Sequence, residues 1–386
     1  MPQSSPSIYL DNAATSFPKP PEVAETMHRL IREISLSPGR SAHRFSLAAS
    51  RVIFEARELV ADFFGCPDSS RVVFTSNVTE ALNVGIFGLL TPGDRVLTTG
   101  MEHNSVMRPL RHLEKTRGIH LEILPATSTG GGIDPDDIPR RLGKKTRLII
   151  INHVSNVTGA MADLAAIGKR KGGALLMVDA AQSAGVFPLD MEEMGIDFLA
   201  FTGHKGLFGP TGTGGFLLRK GLMAQPLKMG GTGSNSEYEE QPQLMPDCHE
   251  SGTPNTLGIC GLAAGLEFIK KTGRETIRRH EEDLTRLLLA GLGRIPGLTV
   301  HGPKAGTGRG AAVSLTMAGR SVADLALLFD RRYGIMTRAG LHCAPAAHRS
   351  IGTFPQGTLR LSPGFFNTEA EIQAVLAALD QISAGP

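Results

Sequence analysis

"ALLMVDAAQ" occupies residues 174–182 and "DFLAFTGHK" residues 197–205. Each opens on an apolar run too continuous for a strand with one wet face. Each closes on polar residues: Asp179 and Gln182 in the first, Thr202, His204 and Lys205 in the second. Strands of that kind belong to sheets covered on both faces, which are mainly parallel. The pattern returns in "RVVFTS", "DRVLTTG", "IHLEILPA", "RLIIINHVSN" and "GGFLLRK", with helical stretches such as "TEALNVGIFGLL" and "ADLAAIGKRK" between many of the runs. The alternation predicts an α/β layered domain around a mainly parallel, seven-stranded sheet.

Upstream, Val23, Met27, Leu30, Ile31 and Ile34 recur at helical spacing, with Pro21 suited to a first turn. A second helix is expected through "LAASRVIFEARELVADFFG", stopping at Gly65. Downstream, two long helices flank Gly273, followed by shorter strands ("LTVHG", "AAVSLTM", "GIMTR", "TLRLSP") among further helices. A chain of 386 residues exceeds the usual single core. The expected division is a large domain over 18–275 and a smaller α+β domain over 276–386, joined by the N-terminal segment 1–17. "AGTGRG" (305–310) and "GGTGSNSEYEEQPQ" (230–243) read as mobile surface loops, the second long enough to bind or to form an interface. "RAGLHCAPAAH" (338–348) reads as irregular.

A hydrophobic content of 41% with 20% charged residues is that of an ordinary soluble protein. A net charge of +3 without a basic block, with three tyrosines and no tryptophan, argues against nucleic acid. No apolar run approaches the ~20 residues of a membrane span, and "MPQSSPSIYL" lacks the features of a signal peptide. The four cysteines show no C-x-x-C spacing and the twelve histidines no H-E-x-x-H. Free thiols, no metal and a cytoplasmic home are therefore expected.

Ligands of open α/β sheets bind beyond the carboxyl ends of the strands. There the sequence gathers Asn156, Asp179, Gln182, Thr202, His204 and Lys205, and a helix whose first turn offers Asn77 and Thr79. Singly, each has an ordinary explanation as a turn former, helix cap or solvated lysine. Together they match what pyridoxal phosphate needs. Lys205 can form the imine and Asp179 can pair with the ring nitrogen. Thr79 and the backbone amides around Val78 can take the phosphate. "GPTGTGG" lacks the G-x-x-x-x-G-K-[ST] of a nucleotide loop. Cys343, by itself, reads as a packing residue or an idle thiol.

Nine blocks, "YLDNAAT", "TEALN", "MEHNS", "HVSNVTG", "VDAAQSAG", "TGHKGLFGPTGTG", "SGTPNT", "RAGLHC" and "LRLSPGFFNT", run in order along nearly the whole chain. In them the sequence resembles the class V aminotransferase group of fold-type I pyridoxal phosphate enzymes, in its cysteine desulfurase and selenocysteine lyase branch. The resemblance implies Lys205 as the imine lysine and Asp179 as the ring-nitrogen partner. Gln182 and Asn156 would lie near the ring hydroxyl, with His103 stacked on the ring. Thr79, Val78, Thr202 and His204 would lie at the phosphate, joined by Thr253 from the second subunit of a homodimer. Arg360, with Asn12 and Arg338, would meet the substrate, and Cys343 would be the nucleophile. L-cysteine would then yield alanine and a persulfide on Cys343, destined for a sulfur acceptor.

A nucleophilic thiolate needs a lowered pKa or a nearby base. Arg338 and His342 are the local candidates to assist it, though His342 reads equally as an exposed loop residue. Two alternatives stand beside the desulfurase: a selenocysteine lyase, or other lyase or aminotransferase, that does not need Cys343, and a cofactor-binding sulfur carrier or regulator. Val78 stands where relatives often carry threonine or alanine. The acidic loop (Glu237, Glu239, Glu240) leaves the acceptor open. Cys248 in that loop is incidental, or, if exposed, a second relay.

Overall fold

All seven apolar runs form strands of one sheet. In the computed structural model, residues 7–34, 37–38, 43–127, 130–234, 237–306 and 308–384 are described. Residues 1–6 of the N-terminal segment, 235–236 of the acidic loop and 307 of "AGTGRG" lie outside them. The first half of the chain runs β1 (Ile8–Tyr9), α1 (Pro21–Glu33), α2 (Arg44–Phe63), β2 (Val72–Thr75), α3 (Val78–Leu89), β3 (Arg95–Thr99), α4 (Asn104–Arg117), β4 (His120–Leu124), α5 (Asp137–Arg141), β5 (Thr146–Asn152), α6 (Leu164–Arg170) and β6 (Leu175–Asp179). It continues through β7 (Phe198–Thr202), β8 (Gly214–Leu218), α7 (Thr256–Thr272), α8 (Arg274–Leu292), β9 (Leu298–His301), β10 (Val313–Met317), α9 (Val322–Tyr333), β11 (Ile335–Met336), β12 (Arg338–Gly340), α10 (Pro345–Ser350), β13 (Thr358–Leu361) and α11 (Glu369–Ser383).

The seven-stranded sheet has the order β2-β8-β7-β6-β5-β3-β4, with β8 antiparallel to both its neighbours. Successive side chains leave a strand on opposite faces, and here both faces are buried. In β6, Leu176 and Val178 pack with Ile149, Phe201 and the α2 and α7 residues Val60, Leu262 and Leu266. Leu175 and Met177 pack the other way, with Ile150, Phe198 and the α3 and α4 residues Leu82, Ile86, Val106 and Leu110. That two-sided burial is why the strands read as continuous apolar runs.

A second, antiparallel sheet has the order β12-β13-β10-β9 and packs Val313, Leu315, Leu359 and Leu361 against Leu288 of α8, Phe329 of α9 and Val375 of α11. β1 pairs with β11, which stitches the start of the chain to its last third. Gly273, at φ 88°, separates α7 from α8, and Gly65, at φ 64°, follows the end of α2. Both positions favour glycine.

Three readings of the sequence need correction. The helix expected after "PKPPEV" is present with Pro21 in its first turn, but it ends at Glu33, so Ile34 lies past its end. "RAGLHCAPAAH" is not wholly irregular, because Arg338–Gly340 is strand β12 and Pro345–Ser350 is α10. "AGTGRG" is no free loop around Arg309, which is 5% exposed and donates to the carbonyls of Thr158, Pro303, Gly310 and Ala312.

Candidate active site

Strands β5, β6 and β7 run parallel and bring Asn152, Asp179 and Ala200 into adjacent register at their carboxyl ends. Asp179 closes β6 at 4% exposure, and its Oδ1 accepts the Ala181 N–H at 2.9 Å. Burial raises its carboxyl pKa, while that amide and the Lys205 ammonium pull it back. Lys205 follows β7 by a tight turn, and its Nζ has no hydrogen-bond partner among the described residues. Burial pushes the amine down to about 8, Asp179 raises it, and Arg360 and Arg338 lower it further. A lysine so placed is kept partly neutral, as imine formation requires.

The other end of the crevice is the start of α3. Asn77 caps the helix, its side chain accepting the Glu80 N–H at 3.0 Å. The Val78 and Thr79 amides are bonded to no described residue, and a helix N-terminus with free amides suits a phosphate. Thr79 is exposed there. A Cβ on Gly214 would lie 2.7 Å from the Asn77 backbone, so glycine is what lets β8 pass beneath the helix start. Thr202 is buried. His204 has a buried Nδ1 with no partner, while its carbonyl accepts Lys19 Nζ at 2.7 Å. Thr253 sits exposed in a groove with Thr75, Ser76 and Lys228.

His103 caps α4. Its Nδ1 accepts the Ser105 N–H at 3.0 Å, so a neutral ring carries its proton on Nε2. Burial, then Lys205, Arg338, Arg108 and Arg360, hold its pKa down to about 4. Asn156 donates through Nδ2 to the His342 carbonyl at 2.7 Å and leaves Oδ1 buried without a partner. Gln182 donates to the Ala13 carbonyl at 2.9 Å. Asn12 is occupied internally, with Ser362, Asn367 and the Phe17 N–H.

Arg338 and Arg360 stand directly opposite across β12 and β13. Like charges in that register repel unless an anion shares them. Arg360, 1% exposed, donates to the Asn156 carbonyl at 3.0 Å and to Asp11 Oδ1 at 2.6 Å, and its Nε has no partner. Arg338 Nη2 lies 3.6 Å from Cys343 Sγ. Cys343 is exposed. His342 and Cys343 have φ values of 48° and 57°, left-handed at two successive residues that are not glycine. Such conformations cost about 1–2 kcal/mol each and need outside support. Cys248 differs, being 3% exposed with a thiol pushed up to about 11 by burial.

A family model described as aminotransferase class-V matches residues 8–375. The chain belongs to the class-V aminotransferases. A "probable cysteine desulfurase" of Methanothermobacter thermautotrophicus is 34% identical, across 97% of this chain and 94% of its own. The cysteine desulfurase of Pectobacterium atrosepticum is 31% identical, across 98% and 93%. Among solved structures, the apo cysteine desulfurase of Thermococcus onnurineus NA1 superposes with a TM-score of 0.92 at 33% identity, covering 98% of this chain and 95% of that one. The Escherichia coli cysteine desulfurase CsdA, in an S-sulfonic acid form, reaches 0.86 at 30%, covering 97% and 94%.

This class-V aminotransferase also holds groups that the sequence reading passed over. Asp11 is one, and a buried arginine's need for a counter-charge was the available signal. Glu102 and Glu281 are others. Glu102 is fully buried, accepts the Thr99 hydroxyl at 2.7 Å and the Asn152 N–H at 3.0 Å, and leaves Oε2 without a partner. Burial pushes its pKa up to about 8, with Asp179 adding to the rise. Glu281 lines a cavity of about 50 Å³ with Asn12, Gln182 and Lys205, and burial holds it near 8 as well.

Both acids bind a proton in the native state that the unfolded chain releases near pH 4.5. Their contribution to stability is complete below that pH and is lost as pH rises through about 8. Glu102→Gln mimics the protonated form, so melting should fall less between pH 5.5 and 8.5 in the variant than in the parent protein. The expected difference is several degrees by calorimetry of the cofactor-free chain. Equal falls would refute the protonated assignment.

Proposed function

We propose that the chain is a pyridoxal 5'-phosphate-dependent cysteine desulfurase, converting L-cysteine to L-alanine with a persulfide on Cys343. What carries the reading is an unpartnered lysine within electrostatic reach of buried Asp179, of Arg338 and Arg360, and of an exposed thiol that lies 3.6 Å from Arg338. The cofactor fits the donor set. Lys205 would hold its aldehyde carbon, Asp179 its ring nitrogen and His103 its ring face. The orphaned acceptor of Asn156 and the bare Nδ1 of His204 await polar partners on that side. Gln182 would approach the ring hydroxyl. Val78, Thr79, Thr202 and His204 would hold the phosphate, with Thr253 reaching across a homodimer from the second subunit. When bound, the group supplies a ring that withdraws electrons from the substrate α-carbon.

The residues of the chain do the rest. Arg360, with Arg338 and Asn12 beside it, orients the substrate carboxylate, as guanidinium geometry permits. The Lys205 amine, set near 8, takes and returns the α-proton. The Cys343 thiolate attacks the substrate sulfur, so an S–S bond forms as the substrate C–S bond breaks. The carbon keeps the bonding pair and takes a proton to become alanine. The persulfide then passes to a sulfur acceptor. We place the protein in the cytoplasm and divide it at 18–275 and 276–386, the N-terminal segment 1–17 joining the smaller part. No helix of the described residues is long and apolar enough to cross a membrane.

The test is to supply L-cysteine and a reductant and to measure sulfide and alanine. Cys343→Ala should lower both by at least about a hundredfold while cofactor absorbance is retained, about 2.7 kcal/mol in barrier. Selenide released from selenocysteine by Cys343→Ala, without sulfide from cysteine in the parent protein, would make it a lyase instead. A protein that binds no cofactor would overturn both readings.

A further inference from the structure

The turn that carries Cys343 is anchored from behind by a chain of hydroxyl groups whose direction is fixed. Leu341–Ala344 close a turn through the Ala344 N–H to the Leu341 carbonyl at 2.8 Å. Its central residues, His342 and Cys343, both have positive φ, as in a type I′ turn. Glycine and asparagine are the usual occupants of those positions, and neither is present.

Two bonds hold the carbonyls of the turn: Asn156 Nδ2 to His342 O at 2.7 Å and Asn104 N–H to Cys343 O at 2.8 Å. The third anchor comes from within. His342 is 3% exposed, and its Nε2 lies 3.0 Å from Thr358 Oγ1 on β13. Thr358 donates to Ser314 Oγ on β10 at 2.9 Å, and Ser314 donates to the Val157 carbonyl at 2.7 Å.

A carbonyl can only accept. The single proton of Ser314 is therefore committed to Val157, and that of Thr358 to Ser314. Thr358 has only lone pairs left for the ring, so His342 must donate from Nε2. Its Nδ1 is then a bare acceptor, buried without a partner. Burial, with Arg360, His348 and Arg338 adding to it, holds the ring far below its ordinary pKa. His342 is thus neither the exposed loop residue nor the proton acceptor that the sequence left open.

We propose that His342 is a positioning residue, whose bond to the Thr358–Ser314 hydroxyl chain locks the turn left-handed and keeps Cys343 Sγ beside Arg338. The inference rests on reading Cys343 as the thiol that accepts sulfur. It assigns the work of presenting that thiol to the antiparallel sheet, two strands deep, rather than to the loop itself.

Thr358→Val keeps the side-chain shape and removes the hydroxyl, while Thr358→Ser keeps the hydroxyl. In cofactor-free protein, the rate of iodoacetamide labelling of Cys343 is followed at a single pH by peptide mass spectrometry. Thr358→Val should change the labelling rate by about threefold or more as the turn releases Sγ from its place beside Arg338, and Thr358→Ser should restore it. In the holoprotein, kcat for alanine formation should fall about tenfold in Thr358→Val with KM for L-cysteine within about twofold. A purely structural role would lower the melting temperature and leave the labelling rate unchanged.

An unchanged labelling rate, or equal impairment in Thr358→Ser, overturns the proposal. Should Thr358→Val fail to fold, Ser314→Ala breaks the chain one link further on and should change the labelling rate the same way. A parent protein that makes no alanine would instead refute the desulfurase reading, and the labelling experiment would still decide the role of His342.

Discussion

Lys205→Ala is expected to lower alanine formation from L-cysteine by at least about a thousandfold, roughly 4 kcal/mol in barrier. The reason is the state of the amine. At about 8 rather than 10.5, roughly a tenth of it is neutral at pH 7. Lys19 is also lowered to about 8, but by burial alone, whereas Lys205 is also acted on by the Asp179 carboxylate. Folding should not suffer. Below pH 8 the buried ammonium is charged in both states and penalises the native one, so its removal should leave the cofactor-free melting temperature unchanged or raised. Added ethylamine should restore part of the rate by supplying the missing amine. Activity within about tenfold of the parent protein would show that another group carries the reaction.

The second large effect is on stability. Asp11→Ala strips the counter-charge from an arginine that is 1% exposed and whose Nε already lacks a partner. An uncompensated buried charge of this kind costs about 3–5 kcal/mol. Asp11 is itself about one-fifth exposed, so entering water should keep the loss near the lower figure. Melting should fall by several degrees. Asp11→Ala combined with Arg360→Leu should recover a good part of that loss, because the stranded charge goes with it. If the double variant melts no higher than Asp11→Ala, the pair does not account for the loss. The same substitution frees the guanidinium, so anionic amino acids should bind Asp11→Ala more tightly.

What could be read from the sequence was local. The seven strands were legible because both their faces are buried and the apolar runs show it. Asp179 and Lys205 were legible because a polar residue closing such a run has a crevice to face. Asp11 was not, although it lies in a quoted motif, because its need arises 349 residues away. The opposition of Arg338 and Arg360 depends on the register of two short strands, and β12 is only three residues long and ends in glycine. His342 could not be settled either way, since a histidine between leucine and cysteine has no periodicity to show which side it faces.

The joining of the chain's start to its last third sets a timetable. Leu10 accepts the Ser362 N–H at 2.8 Å, Asn12 reaches Asn367 at 3.1 Å, and Asp11 pairs with Arg360. At about 5–20 residues per second, the ribosome makes Arg360 roughly 20–70 s after Asp11. Through that interval the large sheet can assemble, while the first strand waits with its partners unmade. Such distant contacts form slowly. The surroundings of Lys205 that include Arg360 are therefore completed only when synthesis is nearly over.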